Sequence, residues 1–523
     1  MQGAWGMGAR PTLNADAMNE ARAWWESPVV LGIVVLLSTV PLLYPPVPPL
    51  VDLPGHMGRY RVELDFGHSE WLSQYYDYHW AAIGNLGVDV LIKLFAPLIG
   101  LEPAVKLIVL TIPPLTVGGM LWVAREVHGR IPPTAFFALP FIYGHPFLFG
   151  FVNYTLAMAI AFLAFGWWLR LGRLGQTRLR AILFVPISVL IFFCHTYGWG
   201  ALGLLCFSAE AVRQHNNGSN WFKAGLKAAL HTSVMALPAV IMLVWRSETH
   251  GGSTYGWFEW QRKWEWAYSA LRDRWKWLDI ASVALVGAVF LYALVSRRLT
   301  FSRNLVFSAS VLFVAFLIIP WTVFGSAYAD MRIVPYEIAV MCLAIRTRGS
   351  ADGLAAYALA ALGTAFCALR LIATTASLAI ASGDQQAQLT ALNDVPMGAR
   401  VVSLVGLDCP KPWALPRDTH LGAIVIVRRQ GFSNDQWTIE GANLMKPRSS
   451  WAGIFSSDPS QIVRTNRCRG TNLWTVDRAL RAIRRDRFDY VWMIDTGPFD
   501  AKLVEGMQPV WRGPGSILYR LNP

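Results

Sequence analysis

Apolar stretches long enough to cross a bilayer recur along the first three quarters of the chain, separated by short polar loops, and the pattern ends after Ser382. A crossing takes ~20 mostly apolar residues, because backbone polar groups in hydrocarbon must be satisfied within a helix. The first such stretch is Val29–Leu43. Further spans are expected at Ala104–Val127, Pro133–Phe149, Gly150–Leu171, Leu179–His195, Tyr197–Val212 and Ala224–Trp245. Four more are expected at Leu278–Ser296, Leu305–Phe324, Ile333–Ile345 and Leu354–Ala381. The pattern predicts a polytopic α-helical membrane protein of about 11–12 transmembrane helices. The piece Gly84–Gly100, short and carrying Asp89 and Lys93, reads either as a crossing or as an interfacial segment. Between the first span and that piece, Val51–His79 mixes charged and aromatic residues as one or two amphipathic helices lying along the interface would.

Beyond Ser382 the polarity becomes that of an ordinary soluble domain. Gln385–Leu392 reads as a helix, Arg400–Gly406 and Gly422–Val427 as buried strands, Val476–Arg485 as a basic helix, and Tyr490–Ile494 and Ile517–Leu521 as strands. Strands alternating with helices predict a C-terminal extracytoplasmic α/β domain. The expected division is therefore 1–382, a transmembrane part with outer loops 51–80 and 246–277, and 383–523.

Composition agrees: of 523 residues 54% are hydrophobic and 15% charged, and the mean hydropathy is +0.37, which excludes an ordinary soluble protein. The net charge of +13 implies membrane lipids rather than nucleic acid, because Lys and Arg concentrate in alternate short loops. Arg125/Arg130, Arg170/Arg173/Arg178/Arg180, Arg213/Lys223/Lys227, Arg297/Arg298/Arg303 and Arg346/Arg348 mark the cytoplasmic loops. The loops Gly144–Asn153, His195–Gly200, Arg246–Trp277 and Gly325–Arg332 then face outward with everything after Ser382, and Asp52 joins them if Gly84–Gly100 does not cross. The first span reads as uncleaved, with no removable signal peptide. Cys409 and Cys468, in the outward polar part, are candidates for a disulfide.

Candidate chemistry concentrates at outer span ends. Val51-Asp52-Leu53-Pro54-Gly55-His56-Met57-Gly58-Arg59 presents a carboxylate, an imidazole and a guanidinium just past the first span, among prolines that restrict the backbone. His145 and Asn153 sit in a Pro- and Gly-broken hairpin, and His195 and Tyr197 at a second turn, where irregular backbone is tolerated if it lines a cavity. Asp330 and Arg332 occupy a span mouth, where charges are costly. Arg262 and Lys263 lie in a Trp-rich loop that could hold a lipid phosphate. Each feature also admits a structural role: a solvated helix exit, loose carbonyls satisfied by His and Asn, an ion pair pinning a helix end, an aromatic belt at the headgroups. No phosphate-binding glycine loop, paired CxxC, HExxH or GxSxG occurs, so no cofactor is implied and nothing in the sequence supports a divalent metal.

An early outer-loop aspartate, Asp52 in Val51-Asp52-Leu53-Pro54-Gly55-His56, followed by amphipathic loop helices, many spans and an outer α/β domain, resembles the GT-C class of membrane glycosyltransferases. The resemblance covers most of the chain by architecture and implies a bacterial inner-membrane, multi-pass enzyme. It would move a sugar from a polyprenyl-phosphate or diphosphate donor to an extracytoplasmic glycan, lipid or protein acceptor. By that resemblance Asp52 is the general base of an inverting transfer, His56 orients it or binds sugar, and Arg59, Arg262, Lys263 and Arg332 are candidates for the donor phosphate. His145, Asn153, His195, Tyr197 and Asp330 are the expected pocket residues. The chain lacks the paired Asp-Asp or Glu-Asp of many class members at this place. The alternatives are a secondary transporter or lipid flippase, and a non-catalytic envelope assembly protein.

Overall fold

The computed structural model describes residues 23–244, 252–348, 353–439, 443–448, 450–466, 468 and 473–521. The first span is α1 (Pro28–Leu37), with Pro28 at its first turn, where no N–H partner is needed, continued by a short helix Val40–Leu43. Then come α2 (Leu53–Asp65), a short strand β1 (Tyr76–Tyr78), α3 (Gly87–Ile99) and α4 (Leu101–His128). The bundle goes on through α5 (Val152–Arg173), α6 (Thr177–Cys194), α7 (Thr196–Asn216) and α8 (Trp221–Thr232). It is completed by α9 (Trp260–Tyr268), α10 (Lys276–Val295), α11 (Arg303–Ile318), α12 (Val334–Ala344) and α13 (Leu354–Leu389). Among the described residues five helices, α4, α5, α6, α10 and α13, are long and apolar enough to cross a membrane. The chain is a polytopic helical membrane protein with a C-terminal α/β region.

The expected span Pro133–Phe149 is not a regular helix. Pro132, Pro133, Pro140 and Pro146 remove backbone donors, and the segment runs as 3₁₀ turns Pro133–Phe137 and Leu139–Tyr143, then a single α-turn His145–Phe149. It stays buried because neighbours and its own side chains take up polar groups. Thr134 Oγ1 donates to the Ile345 carbonyl (2.6 Å), Tyr143 OH to that of Ser38 (2.7 Å), and the His145 N–H to that of Ala270 (2.9 Å).

Contacts sort the loops onto two faces. On one, Glu126 pairs with Arg173 at 2.6 Å and His128 Nε2 lies 2.8 Å from the Leu343 carbonyl. On the other, Glu102 at the start of α4 pairs with Arg428 of the C-terminal region (2.8 Å), and Lys106 donates to the Leu43 carbonyl (2.8 Å). Since Asp89 near the start of α3 holds Arg59 of α2 on this same face, α3 begins and ends beside the C-terminal region and does not cross. Asp52 is therefore on the face of that region. Arg246 lies outside the described residues.

The C-terminal region comprises β2 (Arg400–Leu407), α14 (Ile424–Arg429), β3 (Phe432–Ser433), β4 (Met445–Pro447) and β5 (Ile462–Arg464). It ends with α15 (Val476–Ala482), β6 (Tyr490–Ile494), β7 (Gln508–Gly513) and β8 (Ser516–Arg520). The sheet runs β3-β2-β6-β8-β7; β3, β5 and β6 pair with β2 in parallel, and β8 pairs antiparallel with β6 and β7. The expected strand at Gly422–Val427 is instead a 3₁₀ turn (Leu421–Ala423) leading into α14. A short apolar run that is buried all round carries no period to tell strand from helix. Cys409 and Cys468 are joined by a disulfide.

Two features tie this region to the bundle. Helix α13 passes through residue 383 unbroken to Leu389, and β4 pairs antiparallel with β1 of the loop after the first span. The loop helix α2 does not lie free on the interface as its amphipathic mixture suggested; it is held between bundle and sheet, with Gly55 and Gly58 on one face. A Cβ at Gly55 would fall on the Trp437 ring, and one at Gly58 on Gln436 and Ile426, so only glycine permits this approach.

Arg59 and Asp89, 1% and 0% exposed, form an ion pair at 2.7 Å that joins α2 to α3. Neutralising one partner leaves the other charge buried. Asp89→Asn should cost about 3–5 kcal/mol, read as a lowered midpoint of thermal unfolding in detergent, whereas Asp486→Asn in the exposed Arg484–Asp486 pair should leave the midpoint unmoved.

Candidate active site

The broken hairpin braces the start of α2. The Val51 and Asp52 N–H groups donate to the carbonyls of Leu148 (3.3 Å) and Phe149 (2.9 Å), and Gly150, at φ +99°, leaves room where a Cβ would press on the Asp52 backbone. Asp52 thus stands at the N-terminus of α2, its carboxylate turned toward the C-terminal region. There His420 Nε2 lies 3.8 Å from Asp52 Oδ1 and 3.8 Å from Asp458 Oδ1.

This trio was not visible in the sequence. His420 follows Asp418 in a loop with no helical or strand period, and Asp458 lies in a turn before Pro459. The one available signal is that His420 is the only histidine after His250. Its Nδ1 is 3.1 Å from the Asp435 carbonyl, which accepts a proton there and leaves Nε2 as the basic nitrogen facing the two carboxylates. Gln461 donates to Asp458 Oδ1 at 2.7 Å and fixes that carboxylate.

Burial dominates the electrostatics. It pushes the Asp52 carboxyl well above the usual range, Asp458 adds to the rise, and Arg332 opposes it. The His420 imidazole is pushed down by burial against the pull of Asp458. The Asp458 charge thus bears on both Asp52 and His420 across one imidazole nitrogen. Opposite them, the Tyr328 phenol feels Asp52 and Asp458 on one side and Arg262 and Arg272 on the other, and burial first of all pushes it up to about 12.

The remaining expected residues divide by what holds them. Arg332 lies over the rings of Phe151 (4.4 Å) and Tyr197 (4.9 Å), donates to Ser326 (3.2 Å) and acts on Asp52. Its Nε has no hydrogen-bond partner among the described residues. His56 packs between Trp437 (5.0 Å) and Tyr60 (6.4 Å), with Trp437 also against His420 (4.5 Å). Its imidazole is pushed well down by burial and by Arg59. His195 packs on Tyr154 and Tyr197, and its Nδ1 accepts from the Tyr197 N–H (3.1 Å). His145 packs on Phe149 and Trp266, within electrostatic range of Arg272 and Lys411.

Others are consumed by the scaffold. Asn153 accepts from the Val88 N–H (2.6 Å) and donates to Asn85 and Asp89, stitching α5 to α3. Lys263 donates to the carbonyls of Phe316 (2.7 Å) and Ile319 (2.9 Å) and pairs with Asp330 (3.3 Å), which closes the end of α11. Arg59 is taken by Asp89. Arg262 pairs with Glu259 (2.9 Å) over the Trp321 ring, at the rim. Of the four cations expected at a donor phosphate, the structure places Arg332 and Arg262 toward the Asp52 cleft, and Arg59 and Lys263 in buried pairs. Among the described residues no group of three or more His, Cys, Asp or Glu is arranged to hold a metal ion.

In comparisons with known proteins, no family profile matches the chain, and no curated protein matches it by sequence. Among solved structures, the chain is similar to ArnT from Cupriavidus metallidurans in the apo state. That similarity has 13% identity and a TM-score of 0.48, over 94% of this chain and 97% of the other.

Asp435, fully buried beneath His420, accepts from Ser433 Oγ (2.8 Å), while its other oxygen has no hydrogen-bond partner among the described residues. Burial, helped by Asp458, pushes its carboxyl up to about 7. The folded chain therefore keeps a proton there that the unfolded chain loses near pH ~4, and stability conferred at low pH is lost as pH rises toward 7. Asp435→Asn should flatten this dependence and stabilise the protein by roughly 1 kcal/mol or more at pH 8, measured by thermal unfolding across pH.

Proposed function

We propose that the chain is a bacterial inner-membrane glycosyltransferase that moves a sugar from a polyprenyl-phosphate or diphosphate donor to an acceptor on the face carrying the C-terminal region. The observation that carries this reading is Asp52, braced at a helix start and facing His420 and Asp458, with Arg332 in electrostatic range. Asp52 is the base: its carboxylate takes the acceptor hydroxyl proton as that oxygen bonds to the anomeric carbon, and the bond from that carbon to the donor phosphate oxygen breaks with its electron pair, inverting the carbon. The leaving phosphate needs cations more than a proton, a role for Arg332 with Arg262 at the rim. The raised affinity of Asp52 for protons strengthens it as a base, and His420 Nε2, 3.8 Å from Oδ1, faces it across the site.

A transport path through the broken hairpin would run along His145, Asn153, His195 and Asp330. Asn153 and Asp330 are fixed in buried pairings, which favours the transferase reading over a transporter or flippase. The acceptor, whether glycan, lipid or protein, would reach Asp52 from the side of the sheet.

The test is transfer of labelled sugar from a panel of polyprenyl-phosphate sugars by purified protein. Asp52→Asn and Asp52→Ala should each lower turnover at least ~100-fold at matched folded yield. Turnover unchanged in both would remove Asp52 from the chemistry, and no turnover with any donor would sink the reading. Asp458→Asn should keep measurable turnover while the acidic limb of kcat/KM moves to lower pH, because the negative charge that raises Asp52 is gone. An unmoved limb would separate Asp458 from the base.

A further inference from the structure

The face opposite the sheet carries a cleft of about 630 Å³, walled by the ends of α4, α5 and α7 and the starts of α6 and α11. Five guanidinium groups line it, those of Arg173, Arg180, Arg213, Arg303 and Arg346, against two carboxylates, Glu126 and Glu210. Both carboxylates are already spoken for. Glu210 takes Arg213 (2.6 Å), His231 (2.6 Å), Gln214 (2.7 Å) and Arg180 (3.0 Å), and Glu126 takes Arg173 (2.6 Å). Arg303 has only a long contact to Asn216 (3.5 Å), and neither it nor Arg346 has a carboxylate partner among the described residues.

A second observation points to a ligand. Trp168, 1% exposed, lines the cleft beneath the Arg180 guanidinium (3.9 Å), and its indole N–H has no hydrogen-bond partner among the described residues. A buried donor in the same cleft as two guanidinium groups without carboxylate partners, those of Arg303 and Arg346, suits an anion with several acceptor oxygens. The cleft sits where spans end, and the exposed rings of Trp167 and Trp221 mark this level as a headgroup layer.

We propose that this cleft is a phosphate-binding site, with Arg303 and Arg346 as its binding cations and an anionic phospholipid headgroup as its occupant. It is separate from the Asp52 site and on the opposite face, so it would hold lipid without touching the transfer chemistry. The occupant would screen the surplus positive charge at the point where five helices converge.

The test uses the full chain in detergent. Native mass spectrometry counts bound phosphatidylglycerol, and tryptophan fluorescence follows titration with inorganic phosphate. Wild type should bind one phosphatidylglycerol that Arg303→Gln/Arg346→Gln weakens about tenfold or more, while Arg297→Gln, an exposed change outside the cleft, leaves it unchanged. Asn216→Asp, which hands Arg303 an internal carboxylate, should weaken binding by the same order and serves if the double variant folds poorly. Inorganic phosphate binding with the same sensitivity to these variants, where phosphatidylglycerol does not bind, overturns the lipid occupant and assigns the site a soluble phosphate. Binding of neither probe, or binding that none of the cleft variants alters, overturns the proposal.

Discussion

The architecture depends on one close approach, that of α2 to the loop before β4 and to α14. Gly55 and Gly58 remove two side chains from one face of α2, and Trp437, Gln436 and Ile426 fill the space. Without that approach Asp52 would be a solvated residue at a helix exit. With it, a carboxylate from the first loop and a histidine and carboxylate from the last quarter of the chain share one corner, where burial raises the Asp52 carboxyl and lowers the His420 imidazole. The approach is fixed on the other side by buried charge: Asp273 joins Arg417 (2.6 Å) and Ser377 (2.6 Å), while Arg417 also donates to the Pro49 carbonyl.

Such buried ions separate into two kinds. Arg59–Asp89, Lys263–Asp330 and Arg370–Asp279 are closed pairs, each cation held directly by a buried carboxylate, and Lys263 and Arg370 also donate to backbone carbonyls. A closed pair sets register between elements and has little left with which to bind a substrate. Arg332 is different. It rests on two aromatic faces, which hold a guanidinium in place without neutralising it, and its nearest carboxylate influence is Asp52 across the cleft.

That distinction marks how far the sequence could be read. Spans such as α4 and α5 were legible because a bilayer demands long apolar runs, and β2, β6 and β8 because a buried strand demands short ones bounded by turn residues. Asp52 stood out by local composition. Sequence position cannot tell a closed ion pair from an open cation, so Arg59 and Lys263 carried the same signal as Arg332. His420 and Asp458 were beyond reach, because their meaning comes from contacts with residues hundreds of positions away. The irregular Pro133–Phe149 segment was hidden for the same reason, since its polar groups reach Ser38, Ala270 and Ile345, all distant in sequence.

The irregular crossing also explains why the candidate site is where it is. A regular helix running on through Gly150 would use the Leu148 and Phe149 carbonyls four residues further along. The single turn His145–Phe149, stopped by Gly150 in a left-handed conformation, instead leaves those carbonyls to receive the Val51 and Asp52 N–H groups. The glycine that stops the turn therefore creates the cradle, and the start of the first-loop helix is held against the bundle. A carboxylate placed by backbone on one side and by an imidazole on the other needs little reorganisation to act as a base, and the cost of holding it there is spread over contacts that also assemble the fold.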